Sequence, residues 1–367
     1  MLLNWRDKRD KGYGGAEVVV EKIAQEISKE GHEVTLFTSR SGASPGKEMV
    51  GNVRVLRMGS RDTVYIFAIL HMLANREMYD AVIESVNTVP FFSTLLFSPS
   101  CVFVLVHHIM GRHIFFATNP LKAAAAGALE ALIPKMYKNA NFIVLSKFVR
   151  SQLEDMGIER NRIHIIRIPY ERISDKKEPK FSIPTLITTG RLVRQKRVDI
   201  IIRILGKLTK EKGIDAKLII AGAGKERTRL EELSKHMGLE HNIKFTGFLD
   251  QKAKVSMLKR AWIFTTASLI EGFGLSALEA ELCSLPVVAF ANGGLSESVK
   301  NSYSGFLIKE KDETAYADKV AMLLSNKRLR EKMGRNARKY SLSLERPGIE
   351  KLIKLIESVP SKYSSTA

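Results

Sequence analysis

The residues best suited to chemistry fall in one short run, Glu271-Gly-Phe-Gly-Leu-Ser-Ala-Leu-Glu279. Gly272 and Gly274 allow a tight turn and a close backbone approach to a ligand. If a helix starts near Leu275, the amides of Phe273, Gly274 and Leu275 point out of its N-terminus, a geometry that binds phosphate. Glu279 follows Leu275 by four residues and shares its face one turn down. A carboxylate there can accept hydrogen bonds from both hydroxyls of a ribose. Glu271 precedes the helix and can reach a different part of the same ligand. Taken alone, the spacing also suits a glycine-broken turn with two solvated glutamates.

Such a run needs a strand before it and a sheet around it, and the chain supplies both. Short β-rich segments alternate with helical ones. Glu17 to Lys29 reads as an amphipathic helix with Val18, Ile23 and Ile27 on one side. Strands are expected at Met1–Asn4, Val34–Thr38, Ala81–Glu84, Val102–Val106, Phe142–Leu145 and Ile163–Ile168. The polar stretch Ser174 to Pro184 carries two prolines and reads as a linker. After it the alternation restarts. Strands are expected at Leu186–Thr189, Lys217–Ala221, Ile243–Thr246, Trp262–Thr266 and Pro286–Phe290, with helices at Val198–Lys210, Lys225–Met237 and Ser276–Leu282. This alternation implies parallel sheets covered on both faces, in two Rossmann-like α/β domains whose ligands sit at the carboxyl ends of the strands. The expected division is 1–172 and 173–345, with 346–367 as a C-terminal helix, Gly348 to Glu357, crossing back to the first domain, and a tail.

Length and composition agree with two domains. The chain has 367 residues, 45% hydrophobic and 26% charged, which is globular rather than disordered. No apolar run is long enough for a spanning helix. Met1-Leu-Leu-Asn-Trp-Arg-Asp7 meets charge too early for a signal peptide. The two cysteines, Cys101 and Cys283, lie in apolar surroundings and point to buried thiols in a reducing, cytoplasmic setting. The net charge of +19 fits nucleic acid, an anionic membrane surface, or a basic enzyme with phosphate-bearing ligands. The cations are dispersed over helix-like segments such as Lys327 to Lys339, without the interleaved aromatics of single-strand binders, so no nucleic acid is expected. There is no Asp-x-Asp and no ligand spacing among the histidines, so no metal is expected.

The run from Glu271 through Pro286-Val-Val to Gly293-Gly-Leu-Ser-Glu297 closely resembles the donor site of the retaining GT-B glycosyltransferases of family 4, whose hallmark is two glutamates separated by seven residues, then Pro-Val-Val and Gly-Gly-x-x-Glu. The resemblance extends over nearly the whole chain and implies a GT-B fold, two Rossmann-like domains facing an interdomain cleft. It implies transfer of a hexose from a nucleoside-diphosphate sugar, with retention and without a metal or other cofactor. Gly190-Arg191-Leu-Val-Arg-Gln-Lys196 looks like the family element whose Arg and Lys clamp the diphosphate; without Glu271 nearby, the pair would read as surface charge. Two cations converging there stabilise a diphosphate leaving group.

By the same resemblance, His107, at the end of a strand, contacts the donor sugar, a position it fits better than His108. A satisfied structural histidine is the plainer alternative. Gly14-Gly15 approach the donor phosphate or the acceptor, and Gly247-Phe248 line the base pocket. Glu17 reads as a first-turn helix acid. Glu84, Asn87 and His108 are assigned to the acceptor side. Gly222-Ala-Gly224 lacks the third glycine of a dinucleotide motif and reads as a turn beside the base. The chain departs from the family at Pro169-Tyr-Glu171, where Pro-Asn-Gly is usual, in its short first strand, and at Tyr340-Ser-Leu-Ser, which lacks a tryptophan.

The basic charge and the apolar segments Val64–Leu73 and Phe91–Phe97 suit a lipid-linked or cell-envelope acceptor at a membrane surface, with the protein cytoplasmic and peripheral; the same segments would also serve as core helices. An epimerase or phosphorylase-like enzyme, or a non-catalytic surface-binding protein of the same fold, are the other readings.

Overall fold

A computed structural model describes residues 1–10, 12–87, 89–111, 114, 120–168, 173, 174, 176, 178–344 and 348–359. The chain divides into two compact units, Met1–Pro169 with Arg346–Ala367, and Tyr170–Glu345. Pro169-Tyr170-Glu171 and the expected boundary at 172 lie outside the described residues.

The N-terminal unit is built from β1 (Leu2–Leu3), α1 (Gly15–Lys29), β2 (Val34–Thr38), β3 (Lys47–Val50), β4 (Val53–Arg57), α2 (Val64–Asn75), β5 (Val82–Val86), β6 (Val102–Val106), α3 (Pro120–Met136), β7 (Asn141–Val144), α4 (Lys147–Asp155) and β8 (Ile163–Ile165). Its eight-stranded sheet runs β3-β4-β2-β1-β5-β6-β7-β8 and is parallel except for β3 against β4. Strands β2, β5 and β6 are buried along their whole length, as central strands covered on both faces must be. Their β-branched and aromatic composition suits that setting. The hairpin β3–β4 escapes the sequence reading, because its outer strand is largely exposed and carries no apolar run.

The C-terminal unit contains β9 (Thr185–Thr189), α5 (Val198–Gly206), β10 (Lys217–Ala221), α6 (Arg227–His236), β11 (Ile243–Gly247), α7 (Gln251–Arg260), β12 (Ile263–Thr266), α8 (Leu275–Leu282), β13 (Val287–Phe290), α9 (Leu295–Ser298), β14 (Gly305–Ile308), α10 (Glu313–Ser325) and α11 (Lys327–Leu344). Its parallel six-stranded sheet runs β11-β10-β9-β12-β13-β14. After β9 the chain lays strands to one side, and from β12 onward to the other. The loops after β9 and β12 therefore diverge at a topological switch point, where open α/β sheets bind ligands. In the N-terminal unit the corresponding point lies between β1 and β5.

The last helix, α12 (Gly348–Glu357), belongs to the N-terminal unit and packs on α1. Gly348 lies against the Arg167 carbonyl so closely that a β-carbon would come within 1.7 Å of it. The stretch read as a linker is only partly one. Glu178 accepts from Ser256 Oγ at 2.5 Å, Phe181 N donates to the Arg260 carbonyl, and Trp262 Nε1 donates to the Phe181 carbonyl at 2.8 Å. Arg260 stacks over the Phe181 ring at 4.3 Å, so this aromatic anchors the segment to α7 and β12.

Close backbone approach also decides the role of Gly222-Ala-Gly224. A β-carbon on Gly222 would fall 1.8 Å from the Gly190 carbonyl, and one on Gly224 2.3 Å from that of Leu192. These glycines let the loop after β10 pack against the loop after β9. Gly222→Ala is expected to destabilise the C-terminal unit by about 1–3 kcal/mol, since the backbone must move to admit the methyl group. Thermal unfolding of the purified variant checks this, with a melting temperature several degrees lower expected.

Candidate active site

The loops after β9, β12 and β13 meet at the carboxyl ends of their strands. Leu269 N donates to the Gln195 carbonyl at 2.8 Å, joining the first two. Gly294 N donates to the Glu271 carbonyl at 2.7 Å, joining the second and third. A β-carbon on Gly294 would sit 2.1 Å from the Gly272 carbonyl, so the Gly-Gly motif exists to let these two loops touch. On this frame Lys196 Nζ forms a short ion pair with a Glu271 oxygen, both side chains largely shielded from solvent. A pocket at the ends of β9, β10 and β12 is lined by Thr189, Gly190, Arg191, Lys196 and Thr266, among others.

Gly274 caps α8 in the left-handed region, with φ of 84°. A β-carbon there would also strike Leu295 Cδ2 at 2.7 Å and Ser298 Oγ at 2.9 Å. Both reasons demand glycine. The Gly274 carbonyl accepts from Ala277 N and Leu278 N, so the amides ahead of Ala277 lie at the open N-terminal end of the helix. The Phe273 side chain is buried, which fixes the loop and leaves only its backbone to face a ligand.

Three glutamates in this region have three environments. Glu271 pairs with Lys196. Glu279, one turn into α8, pairs with Lys254 of α7 at 2.7 Å. Glu281 is fully buried, and burial raises its pKa well above the carboxylate range, against a smaller opposing pull from Ser304. Lys254 escapes sequence reasoning, because its partner is 25 residues away on a different helix. Gly247, with φ of 71°, and the half-exposed Phe248 stand at the carboxyl end of β11, two strands from β9.

In the N-terminal unit the loop after β1 is held by consecutive charges, each paired. Arg6 binds Glu17 at 2.8 Å, Asp7 binds Arg57 at 2.6 Å, Lys8 binds Glu21 at 2.9 Å, Arg9 binds Glu48, and Asp10 binds Arg61 at 2.5 Å. The partners lie on α1, β3, β4 and the turn before α2. Glu17 is thus a buried first-turn acid: it pairs with Arg6 and accepts from Gly14 N at 2.6 Å, which sets Gly14-Gly15 at the start of α1. These ionic partners supply the signal that the spacing of Asn4 to Asp10 does not.

At the same edge Asn87 Nδ2 donates to Asn4 Oδ1 and to Ser85 Oγ, each at 3.2 Å, and Ser85 Oγ meets His107 Nε2 at 3.1 Å. His107 ends β6 and is buried; burial, then the neighbouring His108, lower its pKa to about 3, so the imidazole is neutral.

Glu84 does not face an acceptor. It is fully buried, accepting from Phe91 N, from Ser93 N at 3.2 Å and Ser93 Oγ at 2.5 Å, and from Tyr137 OH at 2.7 Å. Its strand position pointed outward in sequence, but the loop after β5 folds back over it and uses the carboxyl as its anchor. Burial raises its pKa against the pull of these donors.

The sequence pattern of the family described as Glycosyltransferase Family 4 matches residues 13–170, and that of Glycosyl transferases group 1 matches residues 170–340. An uncharacterised glycosyltransferase of Methanocaldococcus jannaschii is 34% identical over 42% of this chain and 39% of its own length. Across three such relatives the matched part is between 39% and 66% of their length. The crystal structure of WaaG, a glycosyltransferase involved in lipopolysaccharide biosynthesis, superposes with a TM-score of 0.77 at 18% identity, covering 97% of this chain and 99% of that one. Anabaena HepE in complex with UDP-glucose gives a TM-score of 0.73 at 16% identity, covering 97% of each chain. At such identities the structural likeness speaks to the fold, which is GT-B. The chain belongs to the family 4 glycosyltransferases of that fold.

The neutral state of His107 has a measurable consequence. Unfolded, a histidine takes up its proton near pH 6.5; folded, this one does so only near 3. The unfolded state therefore binds more protons below 6.5. The contribution of His107 to stability is fully present above that value and is lost as pH falls toward 3. His107→Gln is expected to flatten the acid side of the stability profile, by about 3 kcal/mol near pH ~4.5, as read by urea unfolding at several pH values.

Proposed function

We propose that the protein is a retaining hexosyltransferase, moving a hexose from a nucleoside-diphosphate sugar to an acceptor hydroxyl without a metal ion. The observation that carries the reading is the Lys196–Glu271 pair, set at the switch point of the C-terminal sheet beside the N-terminus of α8. HepE, of the same fold, binds UDP-glucose, which supports a nucleotide-sugar donor.

In this reading Arg191 and Lys196 stabilise the departing diphosphate, and the amides of Phe273 to Leu275 with the helix dipole add to them. The diphosphate competes with Glu271 for Lys196, freeing the carboxylate to position the sugar. Glu279, steadied by Lys254, holds the ribose, and Gly247-Phe248 flank the base. Gly14-Gly15 serve the donor phosphate or the acceptor, neutral His107 contacts the donor sugar, and Asn87 and His108 serve the acceptor. Attack comes from the leaving group's own face, and a phosphate oxygen takes the acceptor proton. The acceptor is lipid-linked or a cell-envelope glycan, met by a cytoplasmic protein at the membrane's inner face.

Glu271→Ala is expected to lower transfer at least about 100-fold while leaving the melting temperature near that of the wild type. Product mass spectrometry with a panel of nucleotide sugars and acceptors checks it. Normal turnover by the variant sinks the site assignment, and an epimerised donor or a sugar phosphate as product replaces the transfer reading. Specific nucleoside diphosphates should also raise the wild-type melting temperature by mass action, and Lys196→Ala should abolish that shift.

A further inference from the structure

Helix α2 has a second apolar face that stands exposed among the described residues. Val64, Ala68 and Met72 are buried in the core, whereas Ile66 (59% exposed), Phe67 (37%), Leu70 (56%) and Leu73 (56%) face outward. Their spacing places all four along one side of the helix. No residue from Val64 to Asn75 carries a fixed charge. An exposed, charge-free stripe of this kind marks an interaction surface.

The same face of the sheet carries exposed lysines at the end of α3. Phe91 packs on Tyr65 with ring centroids 4.7 Å apart, and the loop it opens is tied to the end of α3 by Phe92 N to Tyr137 OH at 2.9 Å and Thr94 Oγ1 to the Met136 carbonyl at 3.0 Å. Helices α2, α3 and α4 all pack into the same core cluster, so they share one face of the sheet. There Leu95 (71% exposed) and Leu132 (42%) are accompanied by exposed Lys135 and Lys138. Between Asp80 and Glu154 the acidic residues are Glu84 and Glu130, and both are buried. Glu130 is spent on Met110 N at 2.9 Å and Gly111 N at 2.7 Å. The acids nearest α2, namely Asp62, Glu77 and Asp80, stand beyond its two ends.

We propose that this face of the N-terminal unit docks on an anionic lipid bilayer, with α2 lying in the interface and the α3 lysines over the head groups. Apolar side chains bordered on the α3 side by cations, with the exposed acids Asp62, Glu77 and Asp80 confined to the ends of α2, match such a surface. A second copy of the chain would set lysines against lysines. The proposal locates the membrane partner named above, and its readout does not depend on turnover.

The test is sedimentation of the full chain with vesicles of phosphatidylcholine alone or mixed with phosphatidylglycerol. Binding is expected only to the mixed vesicles and should weaken with salt. Lys135→Gln with Lys138→Gln should weaken it about thirtyfold, and Leu70→Glu with Leu73→Glu should remove it while unfolding remains cooperative. Leu70→Met with Leu73→Met should retain it, as should Lys327→Gln with Arg328→Gln on α11. If the glutamate variant fails to fold, the lysine pair decides. Equal binding to both vesicles, an unaltered lysine variant, or an equal loss from the α11 variant overturns the proposal. So does a wild-type dimer, seen by light scattering, that the glutamate variant dissociates.

Discussion

At Gly294 the C-terminal unit has no room for a single extra carbon, and the geometry of the candidate site hangs on that fact. Its amide holds the Glu271 carbonyl, and its missing side chain lets the Gly272 carbonyl come within what would be bonding range of a β-carbon. Gly274 is squeezed in the same way by Leu295 and Ser298 of α9. Three loops from adjacent parallel strands are thereby fixed by backbone contact rather than by flexible side chains. Glu271, the α8 N-terminus and Lys196 inherit that rigidity, which is what a site that orients a ligand needs.

Electrostatics in the two units is arranged differently. In the N-terminal unit a dense set of ion pairs fixes the loop before α1, and the Arg57–Asp7 and Arg6–Glu17 pairs are buried. Removing one partner of such a pair leaves a charge stranded in a poor solvent, so these pairs hold the loop to one conformation. In the C-terminal unit the pairs Lys196–Glu271 and Lys254–Glu279 are partly exposed and link neighbouring loops and helices. The Arg57–Asp7 and Arg6–Glu17 pairs are shut off from solvent, whereas the two C-terminal pairs keep partial access to it.

The apolar residues of α2 show how the same composition serves two ends. One side of the helix completes the core with Val64, Ala68 and Met72, and the other leaves Ile66, Leu70 and Leu73 in solvent. Among the described residues no helix is long and apolar enough to cross a membrane.

Much of the fold was legible because parallel strands buried on both faces write themselves as short apolar runs, as in Val102–Val106 and Val287–Phe290. The run that resembles the family's donor motif could be located because glycine spacing and charge order are local properties, and the structure shows why Gly274 must be glycine. What the sequence could not convey is which side chains find each other across long separations. Glu84 looked outward and is the buried anchor of the loop after β5. That Gly222 and Gly224 pack against the Gly190 and Leu192 carbonyls had no local signal. Lys254 and the partners of the Asn4 to Asp10 loop had no local signal. Each of these depends on pairs of atoms brought within a few ångströms by the packing of separate elements, and burial and partnership are properties of that packing alone.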